Sequence, residues 1–532
     1  MTTTRPYGSW TSVITSQLLV EQAVRLGDVR VAGGEVWWNE GRPAEDGRQV
    51  LVSATAGGPP TDRLPPGFSC RTAVHEYGGD AYVLVEGKGG SSAVFANWSD
   101  QALWLLPAGG GAPTRLTAEP AVDRGDRFAD FAVVPGAEWL LAVRERHHPD
   151  GRVDNDVVAV GLPSGRVRSL ASGHDFYAFP RPSPDGRRVA WVSWDHPSMP
   201  WDSTELWVAD LSEDGEPGPA RLVAGGPGES VTQPAWSPDG RLHYLSDRSG
   251  WWNLYAEDGA AVVAMPAELT GPDWQLGQST YVWLGDGRLV VTWTAPEGER
   301  IGPVVDGTPQ PIDVALTSFG ALRADGDGVV CVAGSPTSAP AVVRIGVDDG
   351  DVKVLRSSRP VTVDPAWISV PQAIEFPTVG DRTAHALWYP PTNPEFEAPA
   401  GERPPLMVIS HGGPTSATSA VLNYSIQYWT SRGFGVVDVD YGGSTGYGRE
   451  YRRRLNGAWG IVDVDDCVAA ANWLADQGLV DRDRMVIRGG SAGGYTTLAA
   501  LTFRDAFAAG ASHYGVADLE LLARDTHKFE AR

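Results

Sequence analysis

The sequence has few cysteines: Cys70, Cys331 and Cys467 are the only three in 532 residues. They are odd in number, far apart and form no Cys-x-x-Cys pair, which excludes a disulfide framework and a thiolate zinc site. Cys467 falls on a stretch with helical periodicity and reads as a small buried hydrophobe. Positive charge is also scarce. Lys and Arg number 43 against 66 Asp and Glu, a formal net charge of −23. Nucleic acid is therefore not an expected partner, because phosphate binding needs a basic face. No run of about 18 apolar residues occurs, so no transmembrane helix and no membrane partner are expected. The start, MTTTRPYGSW, lacks an apolar core segment and a small-residue cleavage site. No signal peptide is expected, and the cytoplasm follows as the default compartment. Metal signatures are missing as well. His75-Glu76-Tyr77-Gly78-Gly79 lacks the second His of a zinc-protease helix, and Asp150 to Asp156 lacks a Gly-centred calcium loop. His147-His148 reads as a solvated pair. No metal is expected.

Glycine (64) and proline (41), by contrast, are abundant and spread along the whole length. Many short strands joined by tight turns need that composition, and the length calls for at least two domains. Residues 181–210 and 235–255 each carry Ser-Pro-Asp-Gly-Arg, then an alternating apolar strand, then a second strand of the LWV or NLY type. Pro presets one φ of such a turn and Gly supplies a positive one, so the turn joins antiparallel strands. Weaker copies lie at 27–54, 81–106, 128–161, 280–294 and 319–345. About seven units at roughly 40–50-residue spacing predict a seven-bladed β-propeller over 26–370. A pair of β-sandwiches is the plainer alternative. Residues 13–24 predict an amphipathic helix within an N-terminal segment, 1–25, that packs on the second domain.

After residue 370 the pattern changes. PLMVIS (405–410) and GFGVVDVDY (433–441) are apolar runs of the buried parallel-strand kind, and 461–477 has helical periodicity. Alternating strands and helices predict a doubly wound, mostly parallel sheet over 371–532.

The strongest chemical signal is Gly489-Gly490-Ser491-Ala492-Gly493-Gly494-Tyr495, placed between the strand RMVIR and a helical stretch. This is Gly-x-Ser-x-Gly in the context of a nucleophile elbow, a turn too tight for side chains beside the serine. Ser491 is the expected nucleophile. The plain alternative is a glycine-rich turn. His411-Gly412-Gly413-Pro414, directly after a strand, can aim backbone N–H groups at a substrate carbonyl, and Gly413 with Ala492 form the expected oxyanion hole. His411 precedes the nucleophile inside that loop, so bracing the loop suits it better than acting as general base. Tyr441-Gly442-Gly443-Ser444-Thr445-Gly446-Tyr447-Gly448 follows the next strand. Tyr441, Tyr447 and Tyr495 are candidates for lining a substrate cavity. Trp459-Gly460 with Asp463, Asp465 and Asp466 opens a helix, where acids suit the dipole.

Taken together, SPDG repeats, HGGP, the GGSTGYG loop, WG followed by Asp, and GGSAGGY resemble the S9 (prolyl oligopeptidase) serine peptidases, in their acylaminoacyl-peptidase and dipeptidyl-peptidase-like branch. The resemblance implies a propeller over an α/β-hydrolase, an active site in the cavity between them, no cofactor, and cleavage of short peptides near the N-terminus. Family members carry Asn-Tyr-Arg-Gly before Ser-Thr-Gly-Tyr-Gly. Asp440-Tyr441-Gly442-Gly443 stands here, without that arginine.

A serine nucleophile needs a general base and a carboxylate to orient it, in the order Ser, Asp or Glu, His. Only 41 residues follow Ser491 (532 − 491), room for one helix and one strand, whereas two further βα units take on the order of 30 residues each. His513, in the next strand, and His527, in a charged tail, are poor candidates, and Asp518 suits a helix cap. The chain thus reads as a hydrolase domain incomplete at its C-terminus, with the triad Asp and His beyond Arg532. The leading reading is a serine peptidase acting on short peptides. A carboxylesterase or amidase with the same elbow, and a propeller scaffold with a hydrolase remnant, are the alternatives. Enzymes of this type often self-associate, so a homo-oligomer stays open.

Overall fold

The computed structural model describes residues 2–20, 23–55, 57–212, 214–359 and 363–531. Seven consecutive four-stranded antiparallel sheets follow one another along the chain. The first comprises Arg25–Ala32, Glu35–Arg42, Arg48–Thr55 and Thr61–Asp62. The others span residues 82–115, 126–172, 176–225, 231–263, 281–309 and 318–357. These are the seven blades read from the repeats.

The repeated turn explains the hairpins. Ser183 N–H donates to Arg188 O at 2.8 Å, and Arg188 N–H donates to Ser183 Oγ at 2.9 Å. Gly186 sits at φ 70°, where a Cβ would stand 2.8 Å from Pro135 O of the preceding blade. The turn therefore closes a hairpin and fits against its neighbour at once. Each blade buries its middle strands, as in Trp139–His147, so that adjacent blades share apolar clusters. The ring closes by packing rather than by a shared strand. Val330 and Val342 of the last blade join the core of the first, and Arg356 grips the buried Glu40 at 2.7 and 3.0 Å.

The second domain is a six-stranded sheet: β1 (Gln372–Thr378), β2 (Arg382–Tyr389), β3 (Leu406–Ser410), β4 (Gly435–Asp440), β5 (Met485–Gly490) and β6 (Ala509–His513). Its order is β1-β2-β4-β3-β5-β6. The last four strands pair parallel and the first two antiparallel. Helices α1 (Tyr424–Thr430), α2 (Gly448–Arg453), α3 (Val462–Asp476) and α4 (Ala492–Phe503) flank it. Cys467 is fully buried in α3.

Of the N-terminal helix expected over 13–24, Ser16–Val20 is helical, and Glu21 and Gln22 lie outside the described residues. The segment before it packs on the second domain. Thr3–Thr4 pairs with Phe396–Glu397, and Ile14 is buried against Trp367, Ile368 and Tyr424.

The two domains are tied by charge. Asp247, in the fifth blade, accepts from Arg449 Nε at 2.7 Å and Arg452 Nη2 at 2.6 Å, both from α2. Arg452 also lies over the Trp252 ring at 4.0 Å. Trp274 Nε1 donates to Thr415 O at 2.6 Å, beside the HGGP loop. Among the described residues no helix is long and apolar enough to cross a membrane.

Candidate active site

Strand β5 ends at Gly490 and α4 begins at Ala492, leaving Ser491 alone at the corner with φ 55° and ψ −120°. That backbone is strained for a residue with a Cβ. The surroundings enforce it. Ser491 N–H donates to His513 O at 3.1 Å, and Ser491 O accepts from the N–H groups of Gly494 (3.0 Å) and Tyr495 (3.2 Å). The glycines are steric necessities. A Cβ on Gly489 would fall 2.2 Å from Gly493 O, one on Gly493 would fall 2.1 Å from Ser410 O, and one on Gly494 would fall 2.5 Å from Gly515 Cα. A Cβ on Gly490 would meet the Tyr514 ring at 2.9–3.0 Å. The Ser491 side chain is exposed.

The HGGP loop lies directly beside it. A Cβ on Gly412 would be 3.5 Å from Ser491 Cβ. Ala492 is the first residue of α4, so its N–H has no acceptor within the helix. Gly413 is held at φ 127°, and among the described residues its N–H has no acceptor. Two unsatisfied donors thus flank the serine, at the positive end of α4.

His411 faces away from Ser491 and into the loop scaffold. Its Nε2 lies 2.7 Å from Ser444 Oγ, its Nδ1 lies 2.8 Å from Gly412 O, and its ring stacks on Tyr441 at 4.3 Å. Burial pushes its pKa below the usual histidine value, against the opposing pull of Asp440. It is a neutral ring spanning two loops.

The three tyrosines expected along a cavity are placed differently. Tyr441 is fully buried, with its hydroxyl 3.1 Å from both His411 O and Pro414 O. Tyr447 donates to Asp440 Oδ2 at 2.9 Å and stacks on His385 at 4.0 Å. Both are framework residues, because their hydroxyls find internal acceptors. Tyr495 is partly exposed four residues after the serine, its ring against Trp459 at 5.0 Å.

The acids of α3 do more than suit its dipole. Asp463 accepts from Gly460 N–H at 2.6 Å and from Thr496 Oγ1 of α4 at 2.5 Å, which fixes the helix carrying the serine. Asp466 accepts from Gly442 N–H at 2.7 Å and from Thr378 Oγ1 at 2.6 Å. Asp440 holds Thr418 through its N–H at 2.7 Å. Apart from the local Gly460–Asp463 bond, these contacts join residues 22 to 88 positions apart, which no local pattern reveals.

Asp518 caps the helix Leu519–Asp525 through Leu521 N–H at 3.0 Å. The segment after it crosses to the propeller. Phe529 is buried against His75, Phe176, Trp194 and Trp274. Lys528 Nζ donates to Asp175 O at 2.8 Å, and Tyr77 OH donates to Glu530. His75 and Glu76 both have positive φ, 53° and 65°. His513 and His527 were weak candidates for the base, and among the described residues no imidazole is hydrogen-bonded to Ser491 Oγ.

The sequence model of the prolyl oligopeptidase family matches residues 420–532. A solved puromycin-hydrolysing peptidase of Mycobacterium tuberculosis is 42% identical, with a TM-score of 0.95 over 99% of this chain and 83% of its own. Dipeptidyl aminopeptidase BIII of Pseudoxanthomonas mexicana is 40% identical over 119 residues, 22% of this chain. The acylamino-acid-releasing enzyme of Arabidopsis thaliana is 26% identical over 296 residues, 51% of this chain. The matches take in 17% and 37% of the lengths of those two enzymes.

Proposed function

The chain belongs to the prolyl oligopeptidase family, and from that membership we propose that it is a serine peptidase of short peptides with Ser491 as its nucleophile. The observation that carries the reading is the corner itself: an exposed serine in left-handed backbone, flanked by the unsatisfied N–H groups of Gly413 and Ala492. In the reaction, Ser491 Oγ attacks the scissile carbonyl while its proton passes to a general base. The carbonyl oxygen becomes an oxyanion and accepts from those two N–H groups, a preorganised stabilisation worth about 3 kcal/mol per donor. Collapse expels the amine and leaves an acyl-enzyme, which water hydrolyses. The general base of such a site is a histidine oriented by a carboxylate, in the order Ser, Asp or Glu, His; this chain covers 83% of the 42%-identical solved peptidase.

The substrates proposed are N-terminal acyl-amino acids or dipeptides in amide linkage. The likeness to a puromycin-hydrolysing peptidase adds aminoacyl amides of that type. The test compares acylaminoacyl and dipeptidyl p-nitroanilides, puromycin, and p-nitrophenyl esters of matched acyl groups on the full-length protein. Amide turnover that disappears in Ser491→Ala is expected. Turnover of esters alone would replace the peptidase reading with an esterase one, and no turnover would leave the binding scaffold.

A further inference from the structure

The propeller axis carries a chemistry that the hydrolase site does not use. In five blades the innermost strand is interrupted by the same irregularity. Strand pairing skips two residues, and the first of them has positive φ: Asp28 (49°), Asp130 (55°), Phe179 (54°), Gln233 (49°) and Ala321 (55°). A bulge of this kind re-aims the side chain that follows it. In three of the five blades the residue two positions on is an arginine: Arg30, Arg181 and Arg323.

The three arginines adopt one local geometry. Each Nη1 donates to the carbonyl of the residue before it, Val29 O at 2.9 Å, Pro180 O at 3.2 Å and Leu322 O at 2.8 Å. All three line a single chamber of about 230 Å³ on the axis. Their charges are not matched alike. Arg30 pairs with Asp80, and Arg181 pairs with Asp130 at 2.7 Å. Asp28 is held instead by Asp80 N–H at 3.2 Å and the Asn39 amide at 3.3 Å. Among the described residues Arg323 makes no ion pair. Burial, and then repulsion from Arg30 and Arg181, lower its pKa well below that of an ordinary arginine. A half-buried guanidinium that shares a chamber with two others is costly unless an anion joins them.

We propose that this axial chamber is a binding site for one small oxyanion, a carboxylate or a phosphate, held by Arg323 together with Arg30 and Arg181. Guanidinium groups are suited to both, through paired N–H donors. The chamber adjoins the catalytic side of the molecule. Phe179 lines it and also a second pocket, and Trp274, which lines that pocket, is hydrogen-bonded to Thr415 beside the HGGP loop. A free anion and the C-terminal carboxylate of a short peptide present the same chemistry here. The second source rests on the peptidase reading and the first does not.

The experiment has two arms on the full-length protein. In the first, sodium phosphate and sodium acetate are titrated calorimetrically into the wild type, Arg323→Gln and Arg323→Lys. Binding of at least one anion near one per chain is expected, weakened at least tenfold by Arg323→Gln and less by Arg323→Lys. In the second, hydrolysis of a tripeptide is compared with that of its C-terminal amide. A KM rise of about tenfold in Arg323→Gln for the acid alone identifies the peptide carboxylate as occupant. Equal KM values alongside anion binding identify a free anion. Should Arg323→Gln fail to fold, Arg323→Lys and the wild-type titration decide. Absence of binding of both anions with no Arg323-dependent preference for the acid, or binding that Arg323→Gln leaves intact, overturns the proposal. An inactive wild type would sink the peptidase reading and leave the titration to judge the site.

Discussion

His411 Nε2 stands 2.7 Å from Ser444 Oγ, and that contact locks the loop carrying Gly413 to the loop after β4. The histidine next to the nucleophile's glycines is thereby committed to structure. Removing the contact should disturb the donor geometry without removing a proton carrier. Ser444→Ala and His411→Gln should each lower kcat about tenfold or more with a smaller change in KM, since a missing oxyanion donor costs 10²–10³ and a displaced one less. The acid limb of the pH–rate profile should keep its midpoint in His411→Gln. A midpoint that moves would make His411 the base.

The elbow's tolerance can be tested by one methyl group. Gly493→Ala places a Cβ 2.1 Å from Ser410 O, so β3 and α4 must separate. Loss of amide turnover by at least 10³-fold, or loss of soluble protein, is expected and is read by activity assay and circular dichroism. Wild-type activity would mean the corner is not held as described.

The inter-domain clasp should be strongly coupled. Asp247 is buried between Arg449 and Arg452, and Arg452 is itself buried. Asp247→Asn leaves Arg449 without its carboxylate and Arg452 with only the more distant Glu268 at 3.9 Å, a loss of about 3–5 kcal/mol for a broken buried pair. Its unfolding midpoint should fall accordingly in urea. A double mutant with Arg449→Met should recover part of the loss, because it removes the cation left without a carboxylate.

Acid should weaken the protein through His75. This ring is 4% exposed, and burial lowers its pKa to about 4. An unfolded histidine titrates near 6.5. Between about pH 6.5 and 4 the unfolded chain therefore binds a proton that the folded one does not, and stability falls as pH falls through that window. The full effect is on the order of 3 kcal/mol. His75→Phe keeps a ring against Phe529, and its Tm should decline less from pH 7 to 4. Equal slopes in the two proteins would refute the assignment.

Much of this was legible beforehand where the signal was local. Two Ser-Pro-Asp-Gly-Arg turns and five weaker strand copies pointed to seven blades, and the turn is readable because Ser183 and Gly186 complete their hairpin within six residues. The strand–Gly-Gly-Ser–helix corner was equally local. What stayed hidden depends on distant partners. Phe529 docks on His75 across the whole propeller, and Asp463 reaches Thr496 from another helix. Tyr441 and Tyr447 were candidates for the cavity because their loop follows the next strand, yet their hydroxyls are consumed by His411 O, Pro414 O and Asp440. The axial bulges had no signal either. Asp28, Phe179 and Ala321 share a backbone conformation but no side-chain type.

The central claim is that Ser491 is an activated nucleophile in the full-length protein. The direct measurement is labelling by a fluorophosphonate probe, with the adduct mapped by peptide mass spectrometry, alongside Ser491→Ala. The account predicts one adduct, on Ser491, absent from the variant. An unlabelled full-length protein, or an adduct on another serine that survives Ser491→Ala, would contradict it.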